Sequence, residues 1–131
     1  MSDSIFTKII KGDIPSYKIL ENEDFISFLD INPIKEGHTL VVPKLQVDYI
    51  YDLPNDVFSG LFNFSKIVAQ KIKKAIECDR IGISVVGLEV PHAHIHLIPI
   101  NEISDMSFES PRIHPSKIEL NKILKKIKSS K

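Results

Sequence analysis

Gly87-Leu88-Glu89-Val90-Pro91-His92-Ala93-His94-Ile95-His96-Leu97-Ile98-Pro99-Ile100 carries three of the chain's five histidines, spaced two apart with apolar residues in the gaps. On a β-strand, side chains alternate between faces. His92, His94 and His96 would then share one side, and Ala93, Ile95 and Leu97 the other. One face is core and the other is available for chemistry.

Geometry separates the uses of such a row. Alternate strand residues lie about 6.6 Å apart, so His92 and His96 are roughly 13 Å apart along the strand. One tetrahedral metal with Zn–N bonds near ~2 Å cannot take all three, although a pair such as His94 and His96 could chelate with a third ligand from elsewhere. An idle, solvated polar face is a poor account of three imidazoles against an apolar backdrop. Nucleophilic or acid–base work fits the pattern best.

Working outward, Ile81 to Val86 is apolar and β-branched, a fourth strand, and the short loop Gly87 to Pro91 makes its pairing with the histidine strand antiparallel. His38-Thr39-Leu40-Val41-Val42-Pro43 is another buried strand, entered through the turn-rich Asn32 to Gly37. His38 stands at its entrance, where an isolated histidine is more often structural than catalytic. Tyr17 to Leu20 and Phe25 to Asp30 read as a hairpin, with Phe28 and Asp30 on one face and Leu29 and Ile31 on the other. Ser2 to Gly12 is a short helix with Asp3 or Ser4 as cap. From Pro54 to Ile76, Val57, Leu61, Phe64, Val68, Ile72 and Ala75 form one helical stripe, the longest in the chain. Lys44 to Leu53 shows no clean period. Asn101 to His114 reads as a loop laid over something apolar, and Ser116-Lys117-Ile118-Glu119 is a capping box that opens a final, basic helix.

The 131 residues suit one domain spanning 1–131 with a substantial core. Seventeen basic and seventeen acidic residues cancel, which argues against coating nucleic acid or an anionic membrane. A lone Cys78 allows no intrachain disulfide, no apolar run approaches a membrane span, and no leader pattern precedes Asp3, Lys8 and Lys11. A cytoplasmic protein is expected.

A neutral imidazole, with an unperturbed pKa of about 6.5, is a competent nucleophile toward phosphorus, and neighbouring imidazoles can donate to phosphate oxygens. His94, flanked on both sides, is the natural nucleophile. Gly87 permits close backbone approach to a phosphate, and an acid such as Asp30 suits a pair of ribose hydroxyls.

His92-Ala93-His94-Ile95-His96-Leu97-Ile98 resembles the signature of the histidine triad (HIT) family. Ile5 to Ile10 with Gly12 to Pro15, Phe28 to Pro33, and Gly37 to Lys44 resemble further family blocks in the same order. The resemblance covers about the first hundred residues. It implies an α+β fold with a five-stranded antiparallel sheet, continued into ten strands in a homodimer. The implied activity is nucleotide hydrolysis or transfer at the α-phosphate through a nucleotidyl-His94 intermediate. It releases a nucleoside monophosphate, AMP, from a phosphoramidate or related mixed phosphate. His96 would contact phosphate, His92 would orient His94, and His38 becomes a supporting catalytic histidine. Asp30 would bind the ribose, and Ile5, Phe6, Ile9, Phe28, Ile31 and Leu40 would line the base pocket.

Gly87, Leu88 and Glu89 fall beside the phosphate, where Glu89 either faces away or protonates a leaving group. Many relatives hold a structural zinc on two cysteines and a histidine. Ser4, Thr7 and Gln46 stand at those positions, so no structural zinc and no cofactor is expected. Two other readings stay open: a dinucleoside-polyphosphate hydrolase, and a nucleotide-binding regulator with little turnover.

Overall fold

Alternating apolar residues in the strands sort onto the two faces of one five-stranded antiparallel sheet. The computed structural model describes residues 2–130. In chain order the elements are helix α1 (Ile5–Ile10), strands β1 (Lys18–Glu21), β2 (Phe25–Leu29) and β3 (Thr39–Pro43), helix α2 (Asn55–Ala75), strands β4 (Arg80–Ser84) and β5 (Ile95–Ile100), and helix α3 (Lys117–Lys128). Single 3-10 turns lie at Ile50–Asp52, inside the aperiodic Lys44 to Leu53 stretch, and at Ile103–Met106. The strand order is β1-β2-β3-β5-β4, so the histidine strand is internal and β4 is an edge.

Register decides what shares a face. Phe28 pairs with Leu40, and Leu40 pairs with His96; one position along, Ser27 pairs with Val41 and Val41 with Ile95. Phe25, Leu29, Val41, Ile95 and Leu97 point toward α2 and α3, where Leu61, Val68, Ile72 and Ile127 close a fully buried aliphatic core. Ile26, Phe28, Leu40 and Val42 point the other way and pack with Phe6 of α1 in a second, smaller cluster. The histidines lie on this second side. Gly37, at φ 91°, turns the chain into β3, and a side chain there would meet Ile76 and Pro99 at 3.1 and 3.2 Å.

Several boundaries differ from the sequence expectation. α1 is shorter than Ser2 to Gly12, because Ser4 caps it by accepting from the Thr7 amide. β2 ends at Leu29, one residue before Asp30, and β4 ends at Ser84 instead of Val86. The largest correction is that β5 begins at Ile95, so His92 and His94 precede the strand. The cause lies in the hydrogen bonding: the Pro43 carbonyl is taken by the His92 ring, and the Ala93 amide donates to Val47 instead of to a ladder partner.

Candidate active site

A neutral imidazole has one N–H and one lone pair, so a single fixed partner at one nitrogen decides what the other can do. His94 Nδ1 lies 2.7 Å from the backbone carbonyl of His92. A carbonyl only accepts, so Nδ1 carries the proton and Nε2 carries the lone pair.

His38 and His96 are fixed in relay. The Ile34 amide donates to His38 Nδ1 at 3.0 Å, which leaves the His38 proton on Nε2. That Nε2–H donates to His96 Nδ1 at 3.0 Å, and the His96 proton is therefore on its own Nε2. Two adjacent rings are thus set in opposite senses: His94 offers an electron pair and His96 offers a proton. Their centroids are 4.8 Å apart.

Burial keeps this set neutral. His38 is pushed down to about 3 by desolvation, reinforced by the charges of Arg112 and His94. His96 is pushed down to about 3 as well, by desolvation and then by His94, His38 and Arg112. His94 is lowered by burial, against the opposing pull of the His92 carbonyl, Glu89 and Asp30. All are free of protons on the second nitrogen near neutral pH.

His92 faces the opposite way from the reaction cavity. Its Nε2–H donates to the Pro43 carbonyl at 2.8 Å, and Ser4 Oγ–H donates to Nδ1 at 2.7 Å. Ser4 Oγ in turn accepts from the Thr7 amide at 3.0 Å, and Gln46 Oε1 receives both Ser4 N–H and Thr7 Oγ1–H, at 2.9 and 2.6 Å. Ser4, Thr7 and Gln46 therefore meet around one nitrogen of His92. Hydroxyl and amide oxygens are a hydrogen-bonding set, poorly matched to the thiolate and imidazole donors that structural zinc prefers.

Asp30 stands just beyond β2, with its Oδ1 accepting from the Asn32 amide at 2.9 Å. Burial raises its carboxyl, opposed by that amide and by Arg112. Asp30, His38 and His96 offer ligand atoms within 4.8 Å of one another. Both His38 nitrogens and Nδ1 of His96 are already engaged, so the arrangement serves as a relay of hydrogen bonds.

A cavity of about 310 Å³ opens beside these groups. Ile5, Phe6, Ile9, Phe28, Ile31 and Leu40 form an apolar wall, and Asp30, Glu89, His94 and His96 supply the polar end. Phe6 meets the His94 ring edge-on at 4.9 Å. The arrangement has an apolar slot, a carboxylate, a lone-pair imidazole and an N–H imidazole in one place.

Residues 11–103 match the HIT domain. The chain belongs to the HIT family. An uncharacterised HIT-like protein of Methanocaldococcus jannaschii is 37% identical over 131 residues, covering 95% of this chain and 98% of that one. An adenosine 5'-monophosphoramidase of Saccharomyces cerevisiae is 36% identical over 100 residues, 72% of this chain and 61% of the yeast protein. Among solved structures, a HIT-like protein from Bartonella henselae superposes with a TM-score of 0.85 at 30% identity, covering 97% of this chain and 95% of the other. The five-stranded antiparallel sheet with its helices is the HIT fold.

The HIT cavity gathers most of the residues singled out in the sequence, but it leaves four of them outside. His92 and His38 stand behind the cavity wall, acting through the His92 carbonyl and the His38–His96 bond. Gly87 and Leu88, expected beside a phosphate, line a separate groove with Tyr49, Tyr51, Phe58 and Phe62. The loop turns at Gly87, φ 76°, and Leu88 projects into solvent at 89% exposure. Sequence reading also missed two residues of the segment after β5. The Phe108 ring caps His96 edge-on at 4.7 Å, and Arg112 reaches Asp30, Asn32 and Glu89. Only the apolar character of Met106, Phe108 and Pro111 hinted that this segment covers something.

Proposed function

We propose that this HIT protein is a nucleotide hydrolase. It acts at the α-phosphate through His94 and releases a nucleoside monophosphate, AMP, from a phosphoramidate or related mixed phosphate. The observation that carries this reading is the bond from His94 Nδ1–H to its own chain at His92, which leaves a lone pair on Nε2 in a cavity shared with His96 and Asp30.

The roles follow from the protons. The His94 Nε2 pair forms a bond to phosphorus as the bond to the leaving group breaks, while His96 Nε2–H donates to a non-bridging oxygen where charge accumulates. A leaving nitrogen takes one proton from solvent and departs as ammonia, the proton that the hydrolysing water later gives back. His38 holds His96 in the donating tautomer. The His92 ring, anchored to Pro43 and Ser4, fixes the carbonyl that orients His94. Water then displaces the imidazole from phosphorus and frees the monophosphate. Asp30 accepts from ribose hydroxyls while the base lies against Phe6, Phe28 and Leu40. The phosphoramidase named among the relatives supports the substrate class.

Incubation with adenosine phosphoramidate tests the assignment. His94→Ala should reduce turnover by at least ~10³-fold, since the whole covalent route is lost. Wild-type rates in the variant would remove His94 as nucleophile.

We also place this protein in the cytoplasm as a homodimer without structural zinc. Among the described residues no helix is long and apolar enough to cross a membrane. The β4 edge exposes Ile83, with Val85 and Val86 just beyond it and Phe62 and Ile67 on α2, a surface suited to extending the sheet into a second copy. Sedimentation and zinc analysis of the purified protein check the dimer and the absence of zinc; a monomer would contradict the first and stoichiometric zinc the second.

A further inference from the structure

The segment after β5 brings a guanidinium between two carboxylates of the cavity lining, Asp30 and Glu89. Arg112 Nη1 donates to the Asn32 carbonyl at 2.7 Å. Its contacts to acids are longer: Nη1 to Asp30 Oδ2 at 3.4 Å and Nη2 to Glu89 Oε1 at 3.3 Å. The guanidinium also lies 5.8 Å from the centre of the Phe108 ring, which itself packs on His96. Arg112 is thus anchored by a backbone oxygen and an aromatic ring, while its two ionic contacts are stretched. Glu89 is 72% exposed on its side chain and is free to swing into solvent.

Charge decides what this arrangement admits. Asp30 and Glu89 both face the cavity that holds His94 and His96. Without Arg112, an anion departing from phosphorus at that site would meet two carboxylates. With it, an incoming oxyanion can replace Glu89 on a cation that is already positioned, a charge-assisted bond of the kind guanidinium makes best.

We propose that Arg112 is a specificity-determining residue that selects an oxyanion as the group leaving the α-phosphorus, with Glu89 as its exchangeable counter-ion in the empty site. This rests on the hydrolase reading above. In the step concerned, the His94 Nε2 pair forms the P–N bond while the bond from phosphorus to the leaving oxygen breaks. The electron pair goes to that oxygen. Sulfate departs as the dianion and needs no proton. Water then attacks phosphorus, the P–N bond returns its pair to the imidazole, and AMP leaves with release of one proton.

The test compares substrates that share the AMP half. Adenylyl sulfate and diadenosine tetraphosphate carry oxyanion leaving groups; adenosine phosphoramidate carries an amine. The readout is the ratio of kcat/KM for each oxyanion substrate over the phosphoramidate. Arg112→Gln should lower that ratio about 10- to 100-fold, the scale of one charged hydrogen bond, and Arg112→Lys should retain part of it. Glu89→Gln should raise it by removing the competitor. A fall confined to adenylyl sulfate would identify sulfate as the preferred oxyanion, and one confined to the tetraphosphate would identify a polyphosphate.

An unchanged ratio overturns the proposal. So does an equal loss on all three substrates, which would make Arg112 a prop for Asp30. If the wild-type protein turns over none of them, the hydrolase reading fails separately. The same ratio is then read from dissociation constants of wild-type and Arg112→Gln proteins, and decides the role of Arg112 by itself.

Discussion

The two faces of the sheet are made by the same strands and are built on opposite rules. Toward α2 and α3, Val41, Ile95 and Leu97 meet Leu61, Val68, Ile72 and Ile127 in a core of aliphatic and phenyl side chains, Phe25 and Phe64 among them, that holds no histidine. Toward α1, the alternate residues of those strands, Leu40 and His96 among them, meet Phe6, and every buried imidazole of the molecule lies here. One face gains its stability from area removed from water. The other holds polar groups that must be individually satisfied, and among the described residues no buried side-chain nitrogen or oxygen lacks a partner. The lesson is that the chemistry is built on a face whose rigidity comes from hydrogen bonds of fixed direction, backed by a face that is merely well packed.

Acid should expose that contrast most strongly. His38 and His96 are held near 3 in the folded protein, against about 6.5 unfolded. Between these values the unfolded chain binds more protons, so their burial is harmless above about pH 6.5 and destabilises as pH falls below it. Two such histidines cost roughly 4 kcal/mol between pH 7 and 5, the slope approaching ~1.4 kcal/mol per unit each at the acid end. Urea unfolding at the two pH values should show the loss, and replacing His38 by Gln should flatten the profile. A pH-independent midpoint in the wild type would break the comparison.

Next in size is a cut in the opposite face. Ile72→Ala empties a fully buried site and should cost about 3 kcal/mol in denaturant unfolding. Turnover per folded molecule should stay at the wild-type level well below the melting temperature, because no histidine contact is touched. A selective loss of kcat in a fully folded variant would show that the two faces are coupled.

The smallest effect belongs to the junction. Ser4→Ala removes both the α1 cap and the hydroxyl that donates to His92, and should cost about 1 kcal/mol of stability. It should also slow turnover by loosening the carbonyl that orients His94. Ser4→Thr keeps the hydroxyl and should restore both. If Ser4→Ala matches the wild-type rate, then Pro43 alone suffices to hold the His92 ring.

Much of the site was legible because period-two alternation is a local rule. It put Phe28 with Asp30, set Leu29 on the other side, and set His94 and His96 apart from Ile95 and Leu97. Nothing in the spacing said that the His92 ring would take the Pro43 carbonyl, which is why β5 starts three residues later than the run of histidines. Ser4 and Gln46 are 42 positions apart, yet they share one hydrogen bond. Arg112 sits 23 residues from Glu89 and 82 from Asp30, in a stretch without periodicity.

By itself the sequence determined the strands, the capped helices, the family and the identity of the histidines, since these depend on neighbours two to four residues apart and on a contiguous motif. Only the tertiary structure decided which nitrogen of each imidazole carries a proton, which residues reach the cavity, and that Leu88 leaves it while Arg112 pairs with Asp30 and Glu89 of its lining. The physical reason is that a proton is placed by whichever donor or acceptor lies within about 3 Å. For His92 and His96 that partner comes from a distant part of the chain, Pro43 and Ser4 in one case and His38 in the other, whereas for His38 it is the Ile34 amide four residues back, held there by the turn into β3.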